Sequence, residues 1–274
     1  MSQRSSRSPE HSTPGGYVRP GEEYTRDTAY IEDRIGRAPE RAHGGELPSL
    51  VVVTKFFPAQ DVLRLRELGV RAVGENKDQE AGPKAAEVAE TLARQEPPVS
   101  PPAWHFVGQL QSNKAKHVVK YASWVHSVDR PSLVTALGKA VRSHRNAALA
   151  GDARPAPCDD VDLPCLVQVN LDPVAEPDGH RGGAHPDTVL ELARTLEGTE
   201  GLRVGGVMAV APLGAEPREA FETLWKLSQD VQREFPDARA ISAGMSADLE
   251  AAVAAGATHV RIGSDVLGPR PAVR

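Results

Sequence analysis

The chain reads as an α/β protein built as a single (β/α)8 TIM-like barrel, and three observations predict this. Eight short apolar runs, most of them carrying valine, occur at 50–54, 71–74, 104–107, 123–127, 164–170, 204–210, 239–243 and 258–262. Longer amphipathic stretches separate them, at 59–68, 77–94, 112–121, 131–147, 186–197, 217–234 and 246–255. Polar and glycine residues gather where the runs end. Strict strand–helix alternation implies a parallel sheet with right-handed crossovers. A count of eight favours closure over an open doubly wound sheet.

Each element has a local reason. Leu50-Val51-Val52-Val53 is mostly β-branched and suits a strand buried on both faces. Pro58 precedes the first helical stretch, and Pro131 and Pro186 occupy first-turn positions, where a missing N–H costs nothing. Gly69 and Gly256 stand where helix C-caps belong. Proline and charge clusters at 95–102 and 151–163 read as loops. Residues 1–47 are rich in Ser, Pro, Gly, Arg and Glu, with a short helical piece at 27–35. This segment is expected to be disordered or loosely packed, and the barrel to occupy 48–274.

Composition narrows the function. The 274 residues carry a formal charge of -5, so charge gives no argument for nucleic acid or an anionic membrane. Aromatics make up only 4%, too few for base-stacking platforms. Cys158 and Cys165 have neither metal-ligand spacing nor the pattern of a disulfide framework. No run is long and apolar enough to cross a bilayer, and the N-terminus lacks an apolar signal core. A cytoplasmic protein is expected, as a monomer or weak dimer.

In a barrel, ligand groups collect at the C-terminal ends of the strands. Taken in order these ends supply Lys55, Glu75 and Asn76, Gly108 and Gln109, Ser127 and Asp129, Asn170, Met208, then Ser242 to Ser246 and Arg261 to Ser264. This edge holds a lysine, amides, hydroxyls, glycines and an arginine, but no histidine pair and no carboxylate cluster. Metal-dependent hydrolysis and paired-carboxylate chemistry are disfavoured. Lysines number only 8 against 24 arginines, and Lys55 ends the most apolar run. Desolvation there lowers an amine's pKa, and the neutral amine attacks a carbonyl to form a Schiff base. Ser242-Ala243-Gly244-Met245-Ser246, opening a helix expected from Ala247, and Gly263-Ser264 one strand later suit a phosphate. Arg261 needs a partner, either a carboxylate such as Glu75 or Asp265 or an acceptor on a ligand. His105 is expected to be a hydrogen-bonded core histidine. An amine, an anion cradle and a partner for a ring nitrogen describe a site for pyridoxal 5′-phosphate (PLP).

Six strings extend this reading: Val53-Thr54-Lys55; Gly74-Glu75-Asn76; His105-Phe106-Val107-Gly108-Gln109-Leu110-Gln111-Ser112-Asn113-Lys114; Gly206-Val207-Met208-Ala209; Ser242 through Asp248; and Val260-Arg261-Ile262-Gly263-Ser264. In their order and spacing the chain resembles the pyridoxal phosphate homeostasis proteins over about residues 49–270. The resemblance implies a barrel like the N-terminal domain of alanine racemase, with Lys55 as the Schiff-base lysine and Asn76 beside the cofactor. It implies that Ser242, Gly244, Met245, Ser246, Gly263 and Ser264 line the phosphate. Arg261 would face the pyridine nitrogen, and Met208 belongs to the same set of strand-end positions. It further implies a non-catalytic role in intracellular PLP homeostasis, by binding, buffering or delivery to PLP-dependent apo-enzymes. The alternative is a PLP-dependent amino-acid racemase. Only seven residues follow Leu267, so no second domain bringing an opposing acid/base group is expected. Arg181, before Gly182-Gly183, is expected to be a solvated loop arginine.

Overall fold

A computed structural model describes residues 22–37, 47–172 and 182–268. The elements, in order, are α1 (Glu22–Arg37), β1 (Ser49–Val53), α2 (Ala59–Glu67), β2 (Ala72–Glu75), α3 (Asp78–Ala93), β3 (Ala103–Phe106), α4 (Ala115–Val118), β4 (Trp124–Val128) and α5 (Pro131–Leu149). They continue as β5 (Leu163–Gln168), α6 (Val189–Glu197), β6 (Leu202–Met208), α7 (Pro217–Glu234), β7 (Ala240–Ser242), α8 (Leu249–Ala255), β8 (His259–Ile262) and α9 (Ser264–Leu267). All neighbouring strands pair in parallel, and β8 returns to β1 with Leu50 opposite Val260, which closes the barrel. The eight strands and the closure expected from the sequence are present.

Two apolar compartments stabilise it. The larger lies between the strands and the helical layer and includes Val52, Val73, Val125, Leu192 and Phe221, each at most 4% exposed. A smaller one, Leu166, Met208 and Ala240 with Trp124 against them, fills part of the barrel interior. The β5–β6 register shifts between Cys165 and Leu166, and Gly206 absorbs it at φ 141°. A Cβ there would stand 1.9 Å from the Ala240 carbonyl oxygen, so only glycine allows β6 to approach β7.

Three helical expectations are corrected. The stretch at 112–121 is a 3-10 turn, Ser112–Lys114, followed by the short α4. The stretch from 186 opens with a 3-10 turn, Pro186–Thr188. The helix expected from Ala247 begins at Leu249, because Asp248 Oδ1 accepts the Met245 N–H at 2.6 Å and holds the preceding residues in a turn.

The loose segment expected over residues 1–47 lies mostly outside the described residues. Its described part is α1, and this helix is docked. Ile31 and Ile35, one turn apart, are 0% and 2% exposed. Burying two such side chains contributes about 1.5–3 kcal/mol each. Two apolar residues at helical spacing are enough to attach a helix that is otherwise polar.

Candidate functional site

At the C-terminal mouth the first turn is Thr54-Lys55-Phe56. Thr54 is fully buried; its N–H donates to the Gly74 carbonyl at 2.9 Å and its hydroxyl to Glu75 Oε1 at 2.7 Å. Lys84 from α3 donates to the Thr54 carbonyl at 2.9 Å and to Glu75 Oε1 at 2.5 Å. Glu75 therefore serves this buried pair and not Arg261, one of the carboxylate partners weighed above. Burial pushes the Glu75 carboxyl up from its ordinary range, and the Lys84 charge opposes that. Phe56 takes a left-handed φ of 71°, rare for a bulky residue, and Glu80 Oε2 accepts its N–H at 3.2 Å. The turn that carries Lys55 is thus over-determined by partners on β2 and α3.

Asn76 follows β2, and its amide carries a buried oxygen with no hydrogen-bond partner. A Cβ at Gly108 would lie 2.2 Å from the Asn76 carbonyl oxygen, so a glycine after β3 is what permits Asn76 its position.

On the β7–β8 side, Arg261 is 5% exposed. Its guanidinium donates to Ser242 Oγ at 2.6 Å and to the Ala209 carbonyl at 2.9 Å. No carboxylate pairs with it among the described residues; Asp265, the other partner weighed, lies 3.4 Å from Arg34. Burial lowers the Arg261 pKa to about 10, partly offset by the Asp248 charge, so it stays cationic at neutral pH. The same Ser242 hydroxyl lies 2.9 Å from His126 Nδ1, and His126 Nε2 lies 2.8 Å from His105 Nδ1. With Ser242 accepting from Arg261, one consistent arrangement has its proton on His126 Nδ1 and the His126 Nε2–H on His105. His105 is a hydrogen-bonded core histidine, as expected. His126 is the residue sequence reasoning missed. Its signal is the period-2 alternation with Trp124, which turns both toward the lumen.

Two groups of the expected phosphate cradle have internal partners. The Ser242 hydroxyl is fully buried and engaged by Arg261 and His126, and the Met245 N–H is engaged by Asp248. What remains is Gly244, Ser246, Gly263 and Ser264. Gly244, at φ 90°, accepts the Arg261 N–H at 2.9 Å, and a Cβ on it would lie 2.7 Å from that of Ala252. Gly263 sits beside the end of β1, where an added Cβ would lie 3.3 Å from the Val53 carbonyl oxygen. Pairing of β7 with β8 and of β8 with β1 brings the Gly244 turn, Arg261, the Gly263 turn and the Lys55 turn onto one arc of the rim. Met208 is 2% exposed, packed with Leu166 and Ala240 in the lumen, where it forms floor and not rim. Arg181 lies outside the described residues.

Known proteins share the sequence and the fold. The family model for the alanine racemase N-terminal domain matches residues 27–271. A pyridoxal phosphate homeostasis protein of Mycobacterium leprae is 42% identical over 246 residues, covering 88% of this chain and 90% of the relative. The chain belongs to the pyridoxal phosphate homeostasis protein family, with the alanine racemase N-terminal-domain fold. The Escherichia coli K12 member is 31% identical over 240 residues, 86% of this chain and 89% of that one. PipY of Synechococcus elongatus, solved with PLP bound, is 27% identical at a TM-score of 0.68, covering 89% of this chain and all of that chain. Alanine racemase from Corynebacterium glutamicum shares the fold alone, at 10% identity and a TM-score of 0.62, covering 92% of this chain and 62% of the racemase.

The residues present fit PLP. A buried guanidinium with no carboxylate paired to it among the described residues, an unpartnered amide oxygen on Asn76 and two glycine turns on the same rim supply the polarity a phosphorylated ring needs. Among the described residues no group of three His, Cys, Asp or Glu is arranged to hold a metal, and no helix is long and apolar enough to cross a membrane.

Proposed function

We propose that this protein holds pyridoxal 5′-phosphate reversibly through Lys55 and acts in intracellular PLP homeostasis without turning over a substrate. The single observation that carries the reading is Arg261: a buried cation at the mouth, with two internal acceptors and no carboxylate paired with it among the described residues. When bound, PLP supplies an aldehyde that condenses with an amine and a ring that withdraws electrons. Lys55 is the amine. Arg261 would face the ring nitrogen as a donor, since a guanidinium has no lone pair with which to accept a proton from that nitrogen and keeps its own near neutral pH. The nitrogen is therefore kept unprotonated and the ring is a poor electron sink, which disfavours chemistry through a carbanion. Gly244, Ser246, Gly263 and Ser264 hold the phosphate, and Asn76 orients the ring. Met208 closes the floor against water. The cofactor is passed in the cytoplasm to PLP-dependent apo-enzymes, and a monomer or weak dimer suffices because every one of these groups comes from one barrel.

Borohydride reduction of PLP-loaded protein followed by peptide mapping tests this. A reduced pyridoxyl group on Lys55, lost in Lys55→Ala, is expected, with no interconversion of alanine enantiomers. Sustained racemisation that disappears in Lys55→Ala would establish the racemase instead.

A further inference from the structure

Arg34 on α1 is 17% exposed and reaches both turns of the anion cradle from outside the barrel. Its Nε and Nη2 make a two-pronged pair with Glu250 at 2.6 and 2.8 Å. Its Nη2 also donates to the Ser246 carbonyl at 2.9 Å, and its Nη1 lies 3.4 Å from Asp265 Oδ2. Ser246 belongs to the turn after β7. Glu250 is in the first turn of α8, which follows the Gly244 turn, and Asp265 in the first turn of α9, which follows Gly263. One guanidinium thus ties the two turns together. It also neutralises two carboxylates that would otherwise sit close to a bound dianion. Ile31 and Ile35 on the same helix anchor the arm that carries it.

We propose that α1 is a clamp on the phosphate: Arg34 fixes the spacing of the Gly244–Ser246 and Gly263–Ser264 turns and screens Glu250 and Asp265, so that docking of α1 and retention of the cofactor's phosphate are coupled. Arg34 is a positioning residue and touches no ligand. The inference rests on the PLP reading above. Coupling between two binding events is reciprocal, so phosphate on the cradle tightens α1 by the factor that α1 tightens phosphate. A helix that can undock gives a homeostasis protein a route to let its cargo go without altering the lysine chemistry.

Three ligands separate this role from a merely structural one: PLP, pyridoxal (the same aldehyde without phosphate) and inorganic phosphate. In Arg34→Ala the dissociation constant for PLP is expected to rise at least tenfold, while that for pyridoxal changes less than twofold. Arg34→Lys keeps the charge but loses the two-pronged geometry. It is expected to fall between, and it serves if the alanine variant does not fold. In wild-type protein, PLP and inorganic phosphate are expected to slow amide exchange over residues 31–35, and pyridoxal to leave it unchanged. Equal weakening of PLP and pyridoxal, or PLP affinity within twofold of wild type, overturns the clamp. If wild-type Lys55 takes no pyridoxyl group, the PLP reading fails, and protection of α1 by inorganic phosphate still decides whether the clamp exists.

Discussion

A buried guanidinium is tolerable only while its donors have acceptors, and Arg261 depends on the Ser242 hydroxyl for one of them. Ser242→Ala strips a partner from Arg261 and from His126 at once. It is expected to lower stability by about 1–3 kcal/mol, read as a lower urea midpoint with an unchanged slope, and to weaken PLP binding by loosening Arg261. A fully stable variant with wild-type affinity would show that neither group needs the hydroxyl. Beneath the Lys55 turn, Lys84 and Glu75 form a pair in which each is the other's justification for being buried. Lys84→Met leaves Glu75 enclosed without a cation, a change expected to cost about 3–5 kcal/mol. Burial already raises the Glu75 carboxyl, so losing Lys84 drives it further toward the neutral acid. The Thr54 carbonyl loses its donor in the same variant, so PLP affinity is expected to fall with stability. Titration of the folded variant by urea at pH 5 and pH 8 checks this: the defect is smaller at pH 5, where Glu75 is more readily protonated.

At the level of elements, the turns decide more than the strands. Gly206→Ala puts a Cβ 1.9 Å from a backbone oxygen of β7 at a φ of 141°, and neither backbone has freedom to yield. A loss of about 3 kcal/mol or more is expected, seen as a sharp fall in thermal midpoint. Gly36 is the control: it lies within α1 at its exposed end, nothing stands within 4 Å of an added Cβ, and Gly36→Ala is expected to gain about 0.5–1 kcal/mol. These elements also show what the sequence can and cannot disclose. The eight strands were legible because β-branched runs are bounded by Gly and Pro, a signal that is local. The docking of α1 was not, because two isoleucines in a polar helix say nothing about which surface receives them. Asp248 looked like part of a helix and is instead the cap that delays it, since capping depends on side-chain reach and not on periodicity. Ser242 was legible from its motif as a strand-end residue, but its burial beneath Arg261 depends on the partner strand. His126 was hidden for the same reason: alternation assigns a face, and only closure tells which face is the lumen.

The molecule as a whole carries an unusual interior charge liability. His105 and His126 are 4% and 0% exposed, and the His105 ring stacks on Trp124 at 5.8 Å. His259 lies 6.0 Å from His105 and 5.6 Å from Trp124, toward the end of the barrel where the Arg203 guanidinium covers Trp124 at 5.6 Å. Burial lowers His105 to about 3 and His259 to about 4, with His126 also held well below its ordinary value by burial and then by the His105 charge. The sign follows from proton counting. Below pH 6.5 the unfolded chain takes up protons that the folded barrel refuses, so stability is complete above that pH and is lost as pH falls toward the folded values. Each enclosed histidine contributes a slope of up to about 1.4 kcal/mol per pH unit. Glu75 works in the opposite sense, because its raised pKa makes the folded state the better proton binder above the ordinary carboxylate range. One carboxyl against three lowered histidines leaves a net loss of stability as pH falls from roughly 6 to 4.5. Protonating His126 would also set a second cation beside the Ser242–Arg261 contact, so Arg261, the proposed ring partner, is disturbed by the same event that opens the barrel. Urea midpoints are expected to be level from pH 8 to 7 and to fall steeply from pH 6 to 5, with release of bound PLP following the same curve. A midpoint unchanged between pH 7 and 5 would mean that the lumen takes up protons without opening, and that the buried histidines are not held neutral as described above.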